Sequence, residues 1–262
     1  MIQSLWTAGS GLLAQQARVD AISNNIANIN TTGFKRDQAT FSDLVYARLR
    51  PADQQTYLGP TVPAGVDRGH GVRVDAVRKQ FGQGMLEMTG RDLDLAIQGD
   101  GFFQVRLPDG STAYTRAGEF RVDAGGTVVT PAGFPLLADG KPLVVPAGAT
   151  AITVAADGTV TATGADSQPV KLGQIRLTRF ADPSALGGAG DGVFIANADA
   201  GQPQQIAPGD GTAIVQGALE RANVDLAQEM VSLVLAQRAY ELSARAVQTA
   251  DQMLALANGL RR

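Results

Sequence analysis

A hydrolytic site needs a base beside its nucleophile, and the sequence holds one histidine, His70, between two glycines in RGHGVRV. No serine stands in a G-x-S-x-G elbow, so His70 has no evident nucleophile to activate and reads as an exposed loop residue. There is no cysteine, which removes disulfides and thiolate metal ligands. Carboxylates come nearest to a metal site in RDLDLAIQGDG, through Asp92, Asp94 and Asp100. A calcium loop of the EF-hand type wants Asp or Asn at its fifth position and Gly at its sixth. Ala96 and Ile97 stand there instead, and the alternation of Leu93, Leu95 and Ile97 reads as a strand with its aspartates outward. GGAGDG, residues 187–192, lacks the lysine of a phosphate loop, the G-x-G-x-x-G spacing and a surrounding βαβ unit, and reads as a surface loop. These residue types support no enzyme site, no metal site and no cofactor.

The polar chemistry that does stand out is amide chemistry. SNNIANINTTGFKR, residues 23–36, threads Asn24, Asn25, Asn28 and Asn30 among isoleucines at helical spacing. Asn is a poor helix-interior residue, because its amide competes for backbone hydrogen bonds. Ile22, Ile26 and Ile29 form an apolar seam from which Asn24, Asn25 and Asn28 lie off. Asn24 and Asn28, four apart, share one face. Their amides can donate and accept across helices, and buried polar contacts of that kind fix register.

The elements that must position those amides follow from periodicity. Met1, Leu5, Ala8, Leu12, Gln15, Val19, Ile22, Ile26 and Ile29 alternate spacings of four and three, a heptad seam broken only by Gln15. Gly33 reads as the helix stop, since glycine takes the left-handed conformation without strain, and Phe34 leads the chain away. The pattern returns at Leu235, Ala239, Leu242, Ala246, Thr249, Met253, Leu256 and Leu260. From about Val224 to Leu260 the only glycine is Gly259 and there is no proline, so one long helix is expected, with Asn223 or Asp225 as cap and Glu229 favourable near its N-terminus.

Between the helices the chain reads as β structure. Asp-Gly pairs at 100–101, 109–110, 139–140, 157–158, 191–192 and 210–211 punctuate short alternating runs, the signal of tight hairpins. AITVAADGTVTATG, FFQVRLPDGSTAYTR and FRVDAGGTVVT are the clearest. FKRDQATFSDLVYARLR reads as partly helical, and the proline- and glycine-bearing stretch after it as an extended connector or long projecting hairpin. The expected fold class is therefore α+β. Terminal heptad helices (1–33 with 218–262) form a coiled-coil domain, 34–70 connects, and 71–217 is an antiparallel all-β domain.

The chain has 262 residues, 31 of them glycine, and a net charge of −3. Its Lys and Arg are scattered rather than gathered in a stripe, so neither nucleic acid nor an anionic membrane is an expected partner. No apolar run reaches the roughly 18 residues of a membrane span, and no Lys or Arg precedes Arg18, unlike a Sec leader. The residues alone leave two roles open for the helices. They pair within one chain, as in an exported β-rich binding or capping module, or they also pack against copies in a polymer.

SLWTAGSGLLAQQARVDAISNNIANINTTGFKR closely resembles the N-terminal signature of bacterial flagellar rod and hook proteins, with Ser23 to Asn28, Thr31, Gly33, Phe34 and Lys35 on the matching positions. LDLAIQGDGFFQV, residues 93–105, is similar to that family's central motif, and the segment from Gly217 through QTADQML to its C-terminal one. Within the family the resemblance is nearest to the distal rod members, with proximal rod or hook-type members as the alternative. It implies a coiled-coil domain inside a helical tube of identical subunits and a β domain outside. It also implies a torque-transmitting role in the basal body, beyond the cytoplasmic membrane, after type III export without a cleaved Sec signal. The implied partners are copies of the chain, neighbouring rod and hook proteins with ring proteins as a further candidate, and the export apparatus. The implied interface comprises the seam and exit residues Leu5, Leu12, Val19, Ile22, Asn24, Asn25, Ile26, Asn28, Ile29, Gly33, Phe34, Leu235, Ala239, Leu242, Ala246, Thr249, Met253, Leu256 and Leu260.

Overall fold

The computed structural model describes residues 2–50, 66–149, 151–164, 169–209 and 211–259. They form an α+β protein with two long helices, α1 (Ile2–Ala27) and α2 (Leu226–Gly259), and a central set of short antiparallel strands. No helix among them is long and apolar enough to cross a membrane. The chain divides into two compact units: residues 1–26, 37–78 and 226–262, and residues 27–36 with 79–225. The stretch read above as a connector thus belongs mostly with the helices, and the end of the asparagine run with the strands.

In the helical unit, α1 and α2 approach each other along rows of small side chains. A methyl group added at Gly11 would stand 3.5 Å from Ser243 Oγ, and Asn25 Nδ2 lies 3.4 Å from Glu229 Oε2. These two contacts are fourteen residues apart on each helix (11 to 25, 229 to 243) and run in opposite chain directions. The helices are therefore antiparallel. Ala14 and Ala21 on α1 and Ala236 and Ala250 on α2 are buried. Rows of Ala, Gly and Ser let two backbones come close with little side-chain entropy lost.

FKRDQATFSDLVYARLR is not helical, contrary to expectation. Asp37–Asp43 and Ala47–Arg50 are strands; the first pairs with Val72–Lys79, and the second runs antiparallel to Val66–Arg68. Along Asp37–Asp43 exposed and half-buried residues alternate closely enough for one face of a strand to be covered. Residues 51–65, the centre of the predicted connector or hairpin, and Leu260 lie outside the described residues. His70 is half-buried rather than exposed, with Nδ1 covered. The neighbouring Gly71 takes φ +105° against Ser10 of α1, where no Cβ would fit.

The other unit is built from the predicted hairpins. Ala151–Val154 pairs with Thr159–Thr163 around Asp157-Gly158, and Phe103–Arg106 with Thr112–Thr115 around Asp109-Gly110. Leu95, Ile97, Phe103, Phe120, Leu136, Val160, Ile175 and Leu177 make its main core. A second cluster gathers Phe102, Tyr114, Phe180 and Phe194, whose rings meet edge-to-face. Two expectations fail here. Gly187–Gly190 is an edge strand of a four-stranded sheet, not a loop, because Asp191 (φ +50°) and Gly192 (φ +70°) supply the tight turn that folds it onto Val193–Ile195. Asp94 points inward and is fully buried, held by the Thr89 hydroxyl, which donates at 2.6 Å, and by Arg91 at 3.5 Å.

Candidate assembly interface

The asparagine run is held in two places. Within the helical unit, Asn25 is almost completely buried and does the work of a clamp. Its Oδ1 accepts the Asp37 N–H at 2.7 Å, while its Nδ2 donates to the Asp37 carbonyl at 2.9 Å and faces Glu229. An amide can serve a backbone N–H and a backbone C=O together, as another peptide group would, and Asn25 pairs with the start of a strand in that manner. Asn24, exposed, donates to Asp37 Oδ2 at 2.7 Å. Glu229 is as buried as Asn25 and sits in the first turn of α2, where a carboxylate complements the positive end of the helix dipole.

The exit of the run lies in the strand unit. α1 ends at Ala27, earlier than predicted, and Ile29 falls in the turns that follow. Half-buried Asn28 accepts the Thr31 hydroxyl at 3.2 Å. Gly33 takes φ +69° and donates its N–H to the Glu220 carbonyl at 2.8 Å. A Cβ at Gly33 would stand 2.5 Å from the Ala117 nitrogen, so glycine is demanded by both conformation and space. It therefore ends the exit turn rather than the helix. The Phe34 ring carries the Lys79 ammonium at 4.9 Å from its centre.

Next in sequence, Lys35 is fully buried. Its ammonium donates to Glu220 Oε1 at 2.6 Å and to the Gly82 carbonyl at 2.8 Å. Arg116, also buried, reaches Glu220 Oε2 at 3.2 Å and the Gly99 carbonyl at 2.8 Å. The Gly84 N–H adds a further bond to Glu220 Oε1 at 2.8 Å. Burial pushes the pKa of Lys35 down, with the Glu220 carboxylate opposing it; the same pair of causes acts on Arg116. One carboxylate thus anchors two cations, the exit of the first motif and the chain just before α2. Sequence reasoning matched Lys35 to a motif but missed Asp37, Arg116 and Glu220.

The predicted seams fall on different surfaces. On α1, Ile22 is buried and Leu5, Leu12, Val19 and Ile26 are half-buried. On α2, Leu235, Leu242, Ala246, Thr249, Met253 and Leu256 are exposed and only Ala239 is half-buried. The buried row of α2 is Glu229, Ala236 and Ala250, with half-buried Ser243 between them, one position on from the predicted seam. That is about 100° round the helix. Leu235, Leu242 and Leu256 are 58%, 66% and 70% exposed, and Trp6 and Leu13 of α1 are also bare.

Small-residue helix contacts, an apolar helix face and a β unit made of hairpins are what the described residues present. Residues 5–35 match the family described as Flagella basal body rod protein, residues 96–162 the Flagellar hook protein FlgE/F/G D1 domain, and residues 215–260 the Flagellar basal body rod FlgEFG protein C-terminal. Among full-length relatives, Flagellar basal-body rod protein FlgG of Caulobacter vibrioides is 42% identical over 264 residues, 99% of this chain and 100% of that one. FlgG of Borreliella burgdorferi is 40% identical over the whole of both chains. FlgG of Buchnera aphidicola subsp. Acyrthosiphon pisum is 42% identical over 97% of this chain and 98% of its own. The chain belongs to the FlgG family of flagellar basal-body rod proteins.

Proposed function

We propose that this chain is a structural subunit of the distal flagellar rod, polymerising into a stiff helical tube that passes torque from motor to hook. Family membership supports the rod assignment, and the apolar face of α2 carries the polymer reading. Fully burying one Leu contributes roughly 1.5–3 kcal/mol, and a row of bare leucines forfeits that until a partner covers it. α1 and α2 form an antiparallel coiled coil through the Gly11–Ser243 and Asn25–Glu229 contacts, which leaves the Leu235–Leu256 face for neighbouring copies. Head-to-tail contacts that do not close on themselves extend into such tubes. The subunit works outside the cytoplasmic membrane, reached by the flagellar export apparatus without a cleaved Sec signal, and meets rod and hook neighbours at the tube's ends. The test is removal of residues 224–262, scored by rod assembly and swimming. Loss of both is expected; normal rods and motility would refute the proposal.

A further inference from the structure

Two buried cations, Lys35 and Arg116, share one buried carboxylate, Glu220. The cluster holds a surplus of one positive charge. Arg116 has a second sign of incompleteness: its Nε–H is covered and has no hydrogen-bond partner among the described residues. A buried donor without an acceptor is costly and calls for an explanation. Arg116 lines a small cavity of about 170 Å³ whose walls include Phe81, Phe102 and Phe180, with Arg179 and Asp100 beside them. The ring of Phe102 lies 5.5 Å from the Arg116 guanidinium, and Phe81 and Phe180 stack edge-on against Phe102, so the walls are preformed. Arg179 and Asp100 are mostly exposed and pair with each other at 3.3 Å, and the Asp100 carboxylate also acts on Arg116, so the three cations and two carboxylates around the cavity still carry one surplus positive charge.

We propose that this cavity is a docking site for one acidic side chain, supplied by a neighbouring copy of this chain in the polymer. The chemistry selects the ligand. The cavity is small, with room for a carboxylate and its stem but not for a helix. The surplus is a single charge, which a carboxylate balances and a doubly charged phosphate would overshoot. Aromatic walls cover the methylene stem, while Arg116 and Arg179 offer planar guanidinium donors that match a carboxylate in geometry. The choice of occupant rests on the rod reading, and the chain's net charge of −3 means that copies present more carboxylates than cations to one another.

Arginine-labelled full-length monomer, observed by nitrogen-15 NMR, tests the site. Sodium acetate is titrated in at constant ionic strength, with sodium chloride as control. A saturable shift of the Arg116 Nε signal with acetate, lost in Arg179→Glu where a tethered carboxylate fills the mouth, is expected. No saturable shift, or an equal one with chloride (an adventitious ion only), overturns the site. The occupant is tested by light scattering of assembling protein. Arg179→Glu should raise the concentration needed for polymer by at least about tenfold, and Arg179→Gln by clearly less, since a buried charge contact governs dissociation. Assembly of Arg179→Glu at the wild-type concentration overturns a neighbouring copy as occupant. If the unaltered chain forms no polymer, the rod reading and this occupant fall together, and the acetate titration still decides the cavity.

Discussion

Glu220 stands between two buried positive charges, and this arithmetic ranks the three side chains. Replacing the carboxylate strands both cations. Breaking a buried pair by removing one partner costs about 3–5 kcal/mol, so Glu220→Gln should lower unfolding stability by about that much in a urea titration. Lys35→Met leaves Glu220 and Arg116 as a one-to-one pair and should cost less, although it forfeits the bond to the Gly82 carbonyl. A larger loss for Lys35→Met than for Glu220→Gln would contradict the ranking. None of this was legible in the sequence. Lys35 and Glu220 are 185 positions apart and Arg116 and Glu220 104 apart, and no local pattern links such residues. Asn25 was legible only in part. Its place off the seam was read, but the cross-helix role was assigned to Asn24 and Asn28; it is Asn25 that faces Glu229 of α2, while it also clamps the start of a strand and Asn24 bonds Asp37.

At the scale of elements, helices and hairpins were readable because their signals are local. Four-three spacing announced both helices, and Asp-Gly pairs announced the turns at 109–110, 139–140 and 157–158. Which face of α2 meets α1 was not readable, because hydrophobic periodicity nominates the most apolar row as the interior. In this chain Ala236 and Ala250 are buried with half-buried Ser243 between them, Ser243 facing Gly11 of α1, and the leucines are left outside. The strand at Asp37–Asp43 was missed for a related reason: its cover is only partial, so its alternation is weak. The two faces of α2 should respond in opposite ways. Ala236→Leu overpacks a filled site and should cost about 1–3 kcal/mol in the isolated chain. Leu242→Ser with Leu256→Ser should change stability by within about 0.5 kcal/mol per site, as for ordinary surface positions, while abolishing polymer in sedimentation. A double variant that still sediments as polymer would remove the Leu235–Leu256 face from the assembly interface.

At the scale of the whole molecule, the division into units interleaves along the chain: one unit takes three separated stretches, the other two. The sequence resemblance pointed to an inner and an outer domain but placed the crossing points elsewhere, because residues 27–36 and 79 onward are committed by bonds to Glu220 and Asn223 that only folding creates. The Asn25–Glu229 contact spans 204 positions. Synthesis at about 5–20 residues per second therefore leaves α1 without α2 for roughly ten seconds or more. Local hairpins close in microseconds, so the strand unit has every opportunity to form first. Pulse-labelling hydrogen exchange during refolding should find amides of 103–106 and 112–115 protected before those of α1; simultaneous protection would refute that order. A chain built this way carries its own timer: the contact between its helices can close only once the distant α2 has been made, so a half-made subunit lacks the face proposed for its neighbours.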